Sequence, residues 1–241
     1  MGLPTRLAHL LLPSCACLIC EQPCTAHTGL CNWCIQELPY LADHCRQCGE
    51  AHAVQSLFKG RCGRCLAKPP QFDECVPVFH YASPVDRLIT AFKYRSRFAA
   101  GSALAHLMAE HMRQLSHTRP LPQLLLPVPL HWRRLQQRGF NQSWLLCQLL
   151  SRQLDLPADV STVIKQRHTE PQSELSGSAR RRRNLRGAFA LRPGHGLSDV
   201  KHIAIIDDVV TTMSTAEELA RMLRGHGIRR IELWCLARAR R

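Results

Sequence analysis

The chain has 241 residues, 45% of them hydrophobic and 21% charged, which is enough apolar material for a packed core and excludes disorder of the whole chain. Its formal net charge is +14. The apolar run Leu7–Leu12 is interrupted by His9 and is far shorter than the roughly 20 residues that a membrane span needs, so we expect no transmembrane helix.

Charge and cysteine content divide the chain into two unlike parts. Residues 1–75 hold six basic and six acidic residues, so the whole excess of positive charge lies beyond them. The same 75 residues contain 11 of the 13 cysteines. We therefore predict a cysteine-rich segment over residues 1–74 and a second, basic domain over residues 75–241.

The expected compartment guides the interpretation of the cysteines. The apolar run Leu7–Leu12 is shorter than the roughly 7–15 residues of a signal peptide, so we expect the protein to be cytoplasmic. In a reducing cytosol a dense cysteine cluster favours metal binding over disulfide formation.

Eight of the cysteines form four pairs with two residues between the members of each pair. These pairs are Cys17 with Cys20, Cys31 with Cys34, Cys45 with Cys48, and Cys62 with Cys65. Such a spacing lets a tight turn direct both thiolates at one tetrahedral Zn²⁺, and two pairs complete one structural site. We predict a double zinc ribbon with two Zn²⁺ ions, whose role is folding because a closed four-thiolate site has no open position for chemistry.

The spacing does not fix how the pairs combine. Neighbouring pairs can share an ion, or alternate pairs can cross over. Cys15 and Cys24 compete with Cys17 and Cys20, and three histidines can replace a cysteine ligand, namely His27, His44 and His52. A redox-active thiol pair or a disulfide framework is the alternative to metal.

From Cys75 onward the pattern predicts alternating strands and helices. In chain order the predicted elements are strand Val76–Tyr81, helix Pro84–Tyr94, helix Gly101–Leu115, strand Leu124–Val128, helix Asn141–Leu154, strand His202–Ile206, helix Ser214–Leu223 and strand Ile228–Leu236. This alternation indicates an α/β domain with a parallel sheet flanked by helices. Its functional site is expected at the carboxyl ends of the strands.

One strand end carries a pattern typical of a sugar-phosphate site. Two acids, Asp207 and Asp208, follow the apolar run Ile203–Ile206 and precede a hydroxyl-rich turn into a helix. Backbone N–H groups at a helix amino terminus, together with hydroxyl groups, bind phosphate. The two carboxylates suit the hydroxyls of an attached sugar or a divalent cation. The alternative is an ordinary capped helix whose aspartates are solvated.

With these cysteine pairs and this acidic strand end, the sequence resembles the ComF/GntX family, in which a cysteine-rich zinc segment precedes a type I phosphoribosyltransferase-like domain. The stretch Asp207–Thr215 is similar to the signature for phosphoribosyl diphosphate (PRPP), and the resemblance covers roughly residues 15–238. The other matching motifs are Cys62-Gly63-Arg64-Cys65-Leu66 with Pro69-Pro70, Phe92-Lys93-Tyr94, Val128-Pro129-Leu130, Arg138-Gly139-Phe140-Asn141-Gln142, Gln172 with Leu175-Ser176, Arg183-Asn184-Leu185 and Ala188-Phe189.

The resemblance implies roles for individual residues. Asp207 and Asp208 match the acidic pair that contacts the ribose hydroxyls. The loop around the 5′-phosphate then comprises Val209, Val210, Thr211, Thr212, Met213, Ser214 and Thr215. Residues 128–134, which begin with Val128 and Pro129, occupy the place of the pyrophosphate loop. Arg133 and Arg134 in this segment, and Arg138 shortly after it, are implied to supply positive charge to a diphosphate.

The family also implies a Mg²⁺ ion that bridges the diphosphate oxygens, and a hood over residues 165–186 that closes on the site. This chain departs from the pattern at Met213, where such loops usually have glycine. A β-carbon there is expected to tilt or partly block the phosphate loop. The resemblance therefore implies PRPP binding and leaves open whether the phosphoribosyl group is transferred.

The positive charge is concentrated in four patches, over residues 86–97, 131–138, 165–186 and 221–241. PRPP needs only a few cations, so the surplus suggests a second polyanionic partner. Single-stranded DNA or RNA is the candidate, with Arg180, Arg181, Arg182 and Arg183 as contacts. Since the family resemblance extends to competence and DNA-utilisation proteins, the alternative function is a catalytically silent accessory factor that keeps the fold and binds single-stranded DNA. DNA-uptake or recombination proteins are the implied protein partners. The alternative is a solvated, arginine-rich surface.

Overall fold

The computed structural model describes residues 15–24, 28–94, 97–167 and 184–240. Strands are β1 (Cys15–Ala16), β2 (Pro23–Cys24), β3 (Glu74–His80), β4 (Leu124–Pro127), β5 (Val163–Lys165), β6 (Phe189–Leu191), β7 (His202–Val210) and β8 (Arg230–Arg238). Helices are α1 (Asn32–Gln36), α2 (Gly63–Ala67), α3 (Val85–Tyr94), α4 (Phe98–Ser116), α5 (Trp132–Arg138), α6 (Gln142–Leu154) and α7 (Ser214–Gly225).

The centre of the fold is a four-stranded parallel sheet with the order β3-β8-β7-β4. The central strand β7 begins with an almost uninterrupted apolar run whose members, Ile203–Ile206, are fully buried. Such a run is typical of a parallel strand covered on both faces. The predicted parallel sheet flanked by helices is confirmed.

Helices cover the two faces of the sheet unequally. Helices α3, α4 and α6 pack on one face against residues such as Ala204 and Ile206, and α7 packs on the other against Ile203 and Ile205. Helix α7 contributes Ala216, Leu219, Ala220 and Leu223, at the spacing of one helical face. Helices α3 and α4 approach closely at Gly101, where a β-carbon would lie 2.5 Å from the Phe92 ring.

The cysteine-rich segment lies along the edge strand β3. The Leu41 N–H donates to the Val78 carbonyl at 3.0 Å, and the His80 N–H donates to the Pro39 carbonyl at 2.8 Å. The Tyr40 and Phe79 rings are 5.0 Å apart between centroids. The segment therefore covers backbone groups that an edge strand would otherwise expose.

The predicted strands and helices of the sheet are present in the structure, but several begin or end at other residues than predicted. The largest shift is at β7, which continues past Asp207 to Val210 because β8 pairs with it as far as Arg238. Helix α5 and the antiparallel pair β5–β6 were not predicted. Among the residues described by the structure, no helix combines the length and apolarity that crossing a bilayer requires.

Candidate functional site

The two aspartates lie at the carboxyl end of the central strand β7, beside the end of β4. The Ser143 hydroxyl, at the start of α6, donates to Asp207 Oδ1 at 3.2 Å, and the Asp208 N–H donates to the same oxygen at 2.9 Å. Asp208 Oδ1 lies 2.8 Å from the Lys93 Nζ at the end of α3. Three elements distant in sequence thus position the pair.

The surroundings of Asp207 make its carboxyl group harder to ionise. Burial, and then the neighbouring Asp208 charge, raise the pKa of Asp207 to about 7, although Lys93 and the Ser143 hydroxyl act in the opposite direction. Burial by itself would lower the pKa of Lys93, but the Asp208 carboxylate outweighs it and the pKa is raised. Lys93 therefore stays charged, and Asp207 changes its charge near neutral pH.

The motifs Phe92-Lys93-Tyr94 and Arg138–Gln142 meet beside this pair. The Gln142 side chain donates to the Lys93 carbonyl at 3.3 Å, and the Phe140 ring lies 5.9 Å from the Phe92 ring. Asn141 caps α6 and also donates to the Val128 carbonyl at 3.0 Å. This network fixes Lys93 and the loop after β4 relative to the aspartates.

The loop Val209–Thr215 joins β7 to the amino terminus of α7. Thr211 is exposed, Val210 is buried, and Val209, Thr212 and Thr215 are partly buried. The hydroxyls of Thr212 and Ser214 lie 3.2 Å apart. Hydroxyl groups and the first N–H groups of a helix of this length together suit an anion with several oxygens.

Met213 adopts the left-handed backbone conformation that glycine favours, with φ of 64°. A non-glycine residue pays about 1–2 kcal/mol for this conformation. Its side chain is buried in the apolar cluster that includes Val210 and Ala216. The loop therefore has a glycine-like turn at this position, and the Met213 side chain contributes to the core beneath α7.

The predicted pyrophosphate-loop residues have different surroundings. Val128 is buried and Pro129 is partly buried. The Arg138 guanidinium lies 5.4 Å from the centre of the Tyr94 ring and donates to the Gln142 side chain, so it lies within the network around Lys93. Arg133 is exposed and its guanidinium lies 5.3 Å from the Trp132 ring centre.

The eight paired cysteines form two groups of four, and in each group neighbouring pairs come together. One group is Cys17, Cys20, Cys31 and Cys34, and the other is Cys45, Cys48, Cys62 and Cys65, with all sulfur atoms of a group within 4.8 Å of one another. The Cys20 and Cys31 sulfurs are 3.8 Å apart, and those of Cys48 and Cys62 are 3.9 Å apart. Four thiolates 2.3 Å from one tetrahedral Zn²⁺ would be separated by about 3.8 Å, so the geometry fits this metal.

Each group also contains one thiol whose pKa is lowered, which favours the thiolate form that binds a metal. Hydrogen bonding with Cys48 and backbone N–H groups lower the pKa of Cys45 to about 4. Burial opposes ionisation of Cys17, but backbone N–H groups lower its pKa to about 6. Burial and these neighbouring thiolates raise the pKa values of Cys34 and Cys65. A cation is needed to hold all four sulfurs as thiolates.

The two groups show which cysteine pairs combine and which competing ligands stay outside them. Among the described residues the four-sulfur groups contain neither Cys24 nor a histidine, and the His44 Nδ1 lies 3.2 Å from the Ala42 carbonyl oxygen. His27, the segment 168–183 and therefore Arg180–Arg183 lie outside the described residues.

Sequence reasoning missed three residues of the site region. Lys93 was noted within a motif and within a basic patch, and Ser143 was assigned no role. Arg238 was included in a carboxyl-terminal basic patch for a polyanion. Arg238 is instead 2% exposed and donates to the backbone carbonyls of Val210 and Thr211. Its position at the end of the buried strand β8, adjacent to β7, is the signal that could have identified it.

A parallel sheet flanked by helices, with an acidic pair and a hydroxyl-rich loop at the carboxyl end of a central strand, defines an α/β protein whose candidate site lies at that end of the sheet. A purine phosphoribosyltransferase from Pyrococcus horikoshii Ot3 aligns with 68% of this chain over 77% of its own length, at 18% identity and a TM-score of 0.32. No protein-family model matches the chain.

Sequence relatives identify the family. The DNA utilization protein YhgH of Salmonella typhi is 39% identical over 226 residues, covering 92% of this chain and 96% of the relative. Competence protein F of Haemophilus influenzae is 37% identical over 219 residues, covering 89% of this chain and 92% of the relative. The chain belongs to the ComF/GntX family.

Proposed function

We propose that the carboxyl end of the sheet binds PRPP together with Mg²⁺. Asp207 and Asp208 accept hydrogen bonds from the ribose hydroxyls, and the loop Val209–Thr215 encloses the 5′-phosphate. The observation that carries this proposal is the acidic pair, held by Lys93 and Ser143, directly before a loop and helix amino terminus suited to phosphate.

Positive charge for the diphosphate comes from the region after β4. Arg138 lies in the network that fixes Lys93, and Arg133 is on the exposed side of α5. When bound, Mg²⁺ neutralises part of the diphosphate charge. If the site supports transfer, the bond between ribose C1 and the diphosphate oxygen breaks, an acceptor takes C1, and diphosphate leaves.

Calorimetric titration of the whole protein with PRPP and Mg²⁺ tests the proposal. The titration is best made at pH 8, where Asp207, with a pKa of about 7, is ionised. We expect one site per chain and weaker binding of ribose 5-phosphate or diphosphate alone, since each makes half of the contacts. Absence of heat with PRPP, or equal affinity for diphosphate alone, would contradict it.

The two four-cysteine groups are proposed to hold one structural Zn²⁺ each. Their support is the close approach of four sulfurs in each group, at separations that fit four thiolates around one tetrahedral Zn²⁺. Neither group leaves a coordination position for a substrate, so the ions stabilise the fold.

A second function, binding of single-stranded DNA during its uptake or use, is supported by a basic cleft at the other end of the sheet. The names of the relatives refer to competence and to DNA utilization. A cleft of about 460 Å³ has five cations among its lining residues, namely Arg46, Lys59, Arg61, Arg229 and Arg230. Asp73 pairs with Arg224 from outside the cleft, and Glu74 pairs most closely with Arg119, also from outside. Glu74 lies in addition 3.7 Å from the cleft residues Arg46 and Arg230, so the cleft cations least engaged by acids are Lys59 and Arg61.

An exposed aromatic ring adjoins these cations. Phe58 is 63% exposed, and the Lys59 Nζ lies 5.6 Å from its ring centre. Cations that contact phosphates next to a ring that stacks on a base are the usual components of single-strand binding.

Replacement of Lys59 and Arg61 by glutamine is expected to weaken binding of an oligothymidylate in a band-shift assay. The slope of log affinity against log salt should fall by about 1.4, since two phosphate contacts are lost. The matched control replaces the exposed Arg87 and Arg152 by glutamine, which changes the charge equally elsewhere. Equal effects of the two variants would argue against this cleft.

A further inference from the structure

Arg238 connects the second four-cysteine group to the phosphate loop. Its guanidinium is buried, with 2% of the residue exposed. The Nε donates to the Cys48 carbonyl at 3.0 Å, and Nη1 donates to the Val210 carbonyl at 2.8 Å and also to the Thr211 carbonyl. A single side chain thus bonds to a residue of the proposed metal group and to two residues of the loop.

On the cysteine side, the bonded carbonyl belongs to a tight turn whose shape depends on its two sulfurs. The Gly49 N–H donates to the Cys45 carbonyl at 2.7 Å, and Gly49 has a φ of 68°. A β-carbon at Gly49 would lie 2.7 Å from the Cys75 sulfur, so the turn packs tightly on the start of β3. A metal that holds both Cys45 and Cys48 fixes this turn and with it the Cys48 carbonyl.

On the loop side, the bonded carbonyls determine where the next N–H groups point. In a trans peptide the C=O and the following N–H point in opposite directions. Because Arg238 holds the carbonyls of Val210 and Thr211 on its own side, the N–H groups of Thr211 and Thr212 point to the other side. The Ala239 N–H also donates to the Val210 carbonyl at 3.0 Å, whereas the Thr211 carbonyl is held by Arg238. Arg238 therefore helps to orient the first peptide groups of the loop proposed to enclose the phosphate.

The first four-cysteine group has different surroundings. Cys17 and Cys34 belong to the apolar cluster of α3, α4 and α6, on the opposite face of the sheet from α7. Within the described part of the chain, no hydrogen bond joins this group to residues 209–215. The chain therefore supplies an internal comparison between two similar metal groups.

We propose that Arg238 is a positioning residue through which the metal of the second group orders the phosphate loop, so that loss of this metal weakens sugar-phosphate binding. The proposal rests on the proposed function for its ligand. It makes the cysteine-rich segment a determinant of the site, in addition to its role in folding.

The test compares the two groups in the whole protein. Substitution of both Cys62 and Cys65 by serine is expected to remove one zinc ion per chain and to raise the Kd for PRPP about 10-fold, the equivalent of losing one ordinary hydrogen bond between protein groups. Substitution of both Cys31 and Cys34 by serine should also remove one zinc ion but change the Kd less than about twofold. Equal changes in the two variants would overturn the proposal.

Arg238→Lys tests the connection with both metals in place. It keeps the positive charge but cannot bond to the separate carbonyls of Cys48 and Thr211 together. We expect the zinc content of wild type, a Kd raised about 10-fold, and no further rise when Cys62 and Cys65 are also replaced. Arg224→Lys is the matched control, since Arg224 also makes several bonds, to Gln71 and Asp73, far from the loop. Additive effects of the Arg238 and cysteine substitutions would contradict the coupling.

Hydrogen exchange distinguishes failure of this proposal from failure of the proposed function. Loss of the second metal or Arg238→Lys should speed exchange of the amides in residues 209–215, whether or not PRPP binds. If exchange becomes faster but calorimetry detects no binding of PRPP, the coupling would be supported and PRPP would be rejected as the ligand. Unchanged exchange would overturn the coupling even if PRPP binds.

Discussion

Replacing both Asp207 and Asp208 with asparagine is expected to raise the Kd for PRPP by about 100-fold, because two hydrogen bonds from ribose hydroxyls to ionised groups, each about 1.5 kcal/mol, lose their charge. Asparagine keeps the size of aspartate, so the loop and α7 need not move. Lys93 would also lose its ionic partner Asp208, 2.8 Å away. Calorimetry with PRPP and Mg²⁺ at pH 8 measures the change.

Measuring the unfolding temperature shows whether weaker PRPP binding comes from the lost carboxylates or from a less stable fold. A carboxyl group whose pKa is raised from 3.8 to about 7 in the folded protein destabilises the fold progressively as pH rises through that interval. Asp207→Asn removes this unfavourable ionisation, so at pH 8 the single variant should unfold at or above the temperature of wild type. The control variant, with the exposed Asp43 and Asp199 replaced by asparagine, carries the same change of charge. A double Asp207/Asp208 variant that binds PRPP like this control would disprove the assigned role.

The part of the site that could be predicted from sequence is the part built within one short segment. The run Ile203–Thr215 contains the strand, the acids, the hydroxyls and the helix start in consecutive positions, so local rules were sufficient. The cysteine pairs could likewise be recognised from spacing within short segments. The structure adds that each pair combines with the next pair along the chain. The resemblance supplied the ligand class, which the spacing by itself left as a general sugar phosphate.

The missed residues act through contacts between distant segments. Lys93 reaches Asp208 from α3, Ser143 reaches Asp207 from α6, and Arg238 reaches the loop from β8. Nothing near any of them in sequence specifies the partner, because each contact depends on how helices and strands pack. Charge counts were misleading for the same reason: Arg224 and Arg230 form ion pairs with Asp73 and Glu232, and Arg238 is buried.

Removal of metal from both cysteine groups is expected to have the largest effect on stability. A structural Zn²⁺ contributes about 10–16 kcal/mol of apparent binding free energy in small zinc domains at pH 7, which exceeds the stability of a segment of this size. Besides the cysteines themselves, the buried apolar side chains of residues 28–65 are only Leu30, Leu38 and Leu41. We therefore expect the segment to unfold when a strong chelator lowers the zinc content to zero.

The consequences extend to the sheet, because the segment covers β3. Its unfolding would remove the bonds from Leu41 to Val78 and from His80 to Pro39, and would expose Phe79, which is now fully buried. An uncovered edge strand with an apolar side chain promotes association between chains. Thermal unfolding followed by calorimetry and light scattering should show a much lower transition temperature with aggregation, both reversed when Zn²⁺ is restored before heating. Cys147→Ser, which alters a buried cysteine outside both groups, should keep the zinc content of wild type and the same response to chelation. A metal-free protein with an unchanged transition would show instead that hydrogen bonds to β3 suffice to hold the segment.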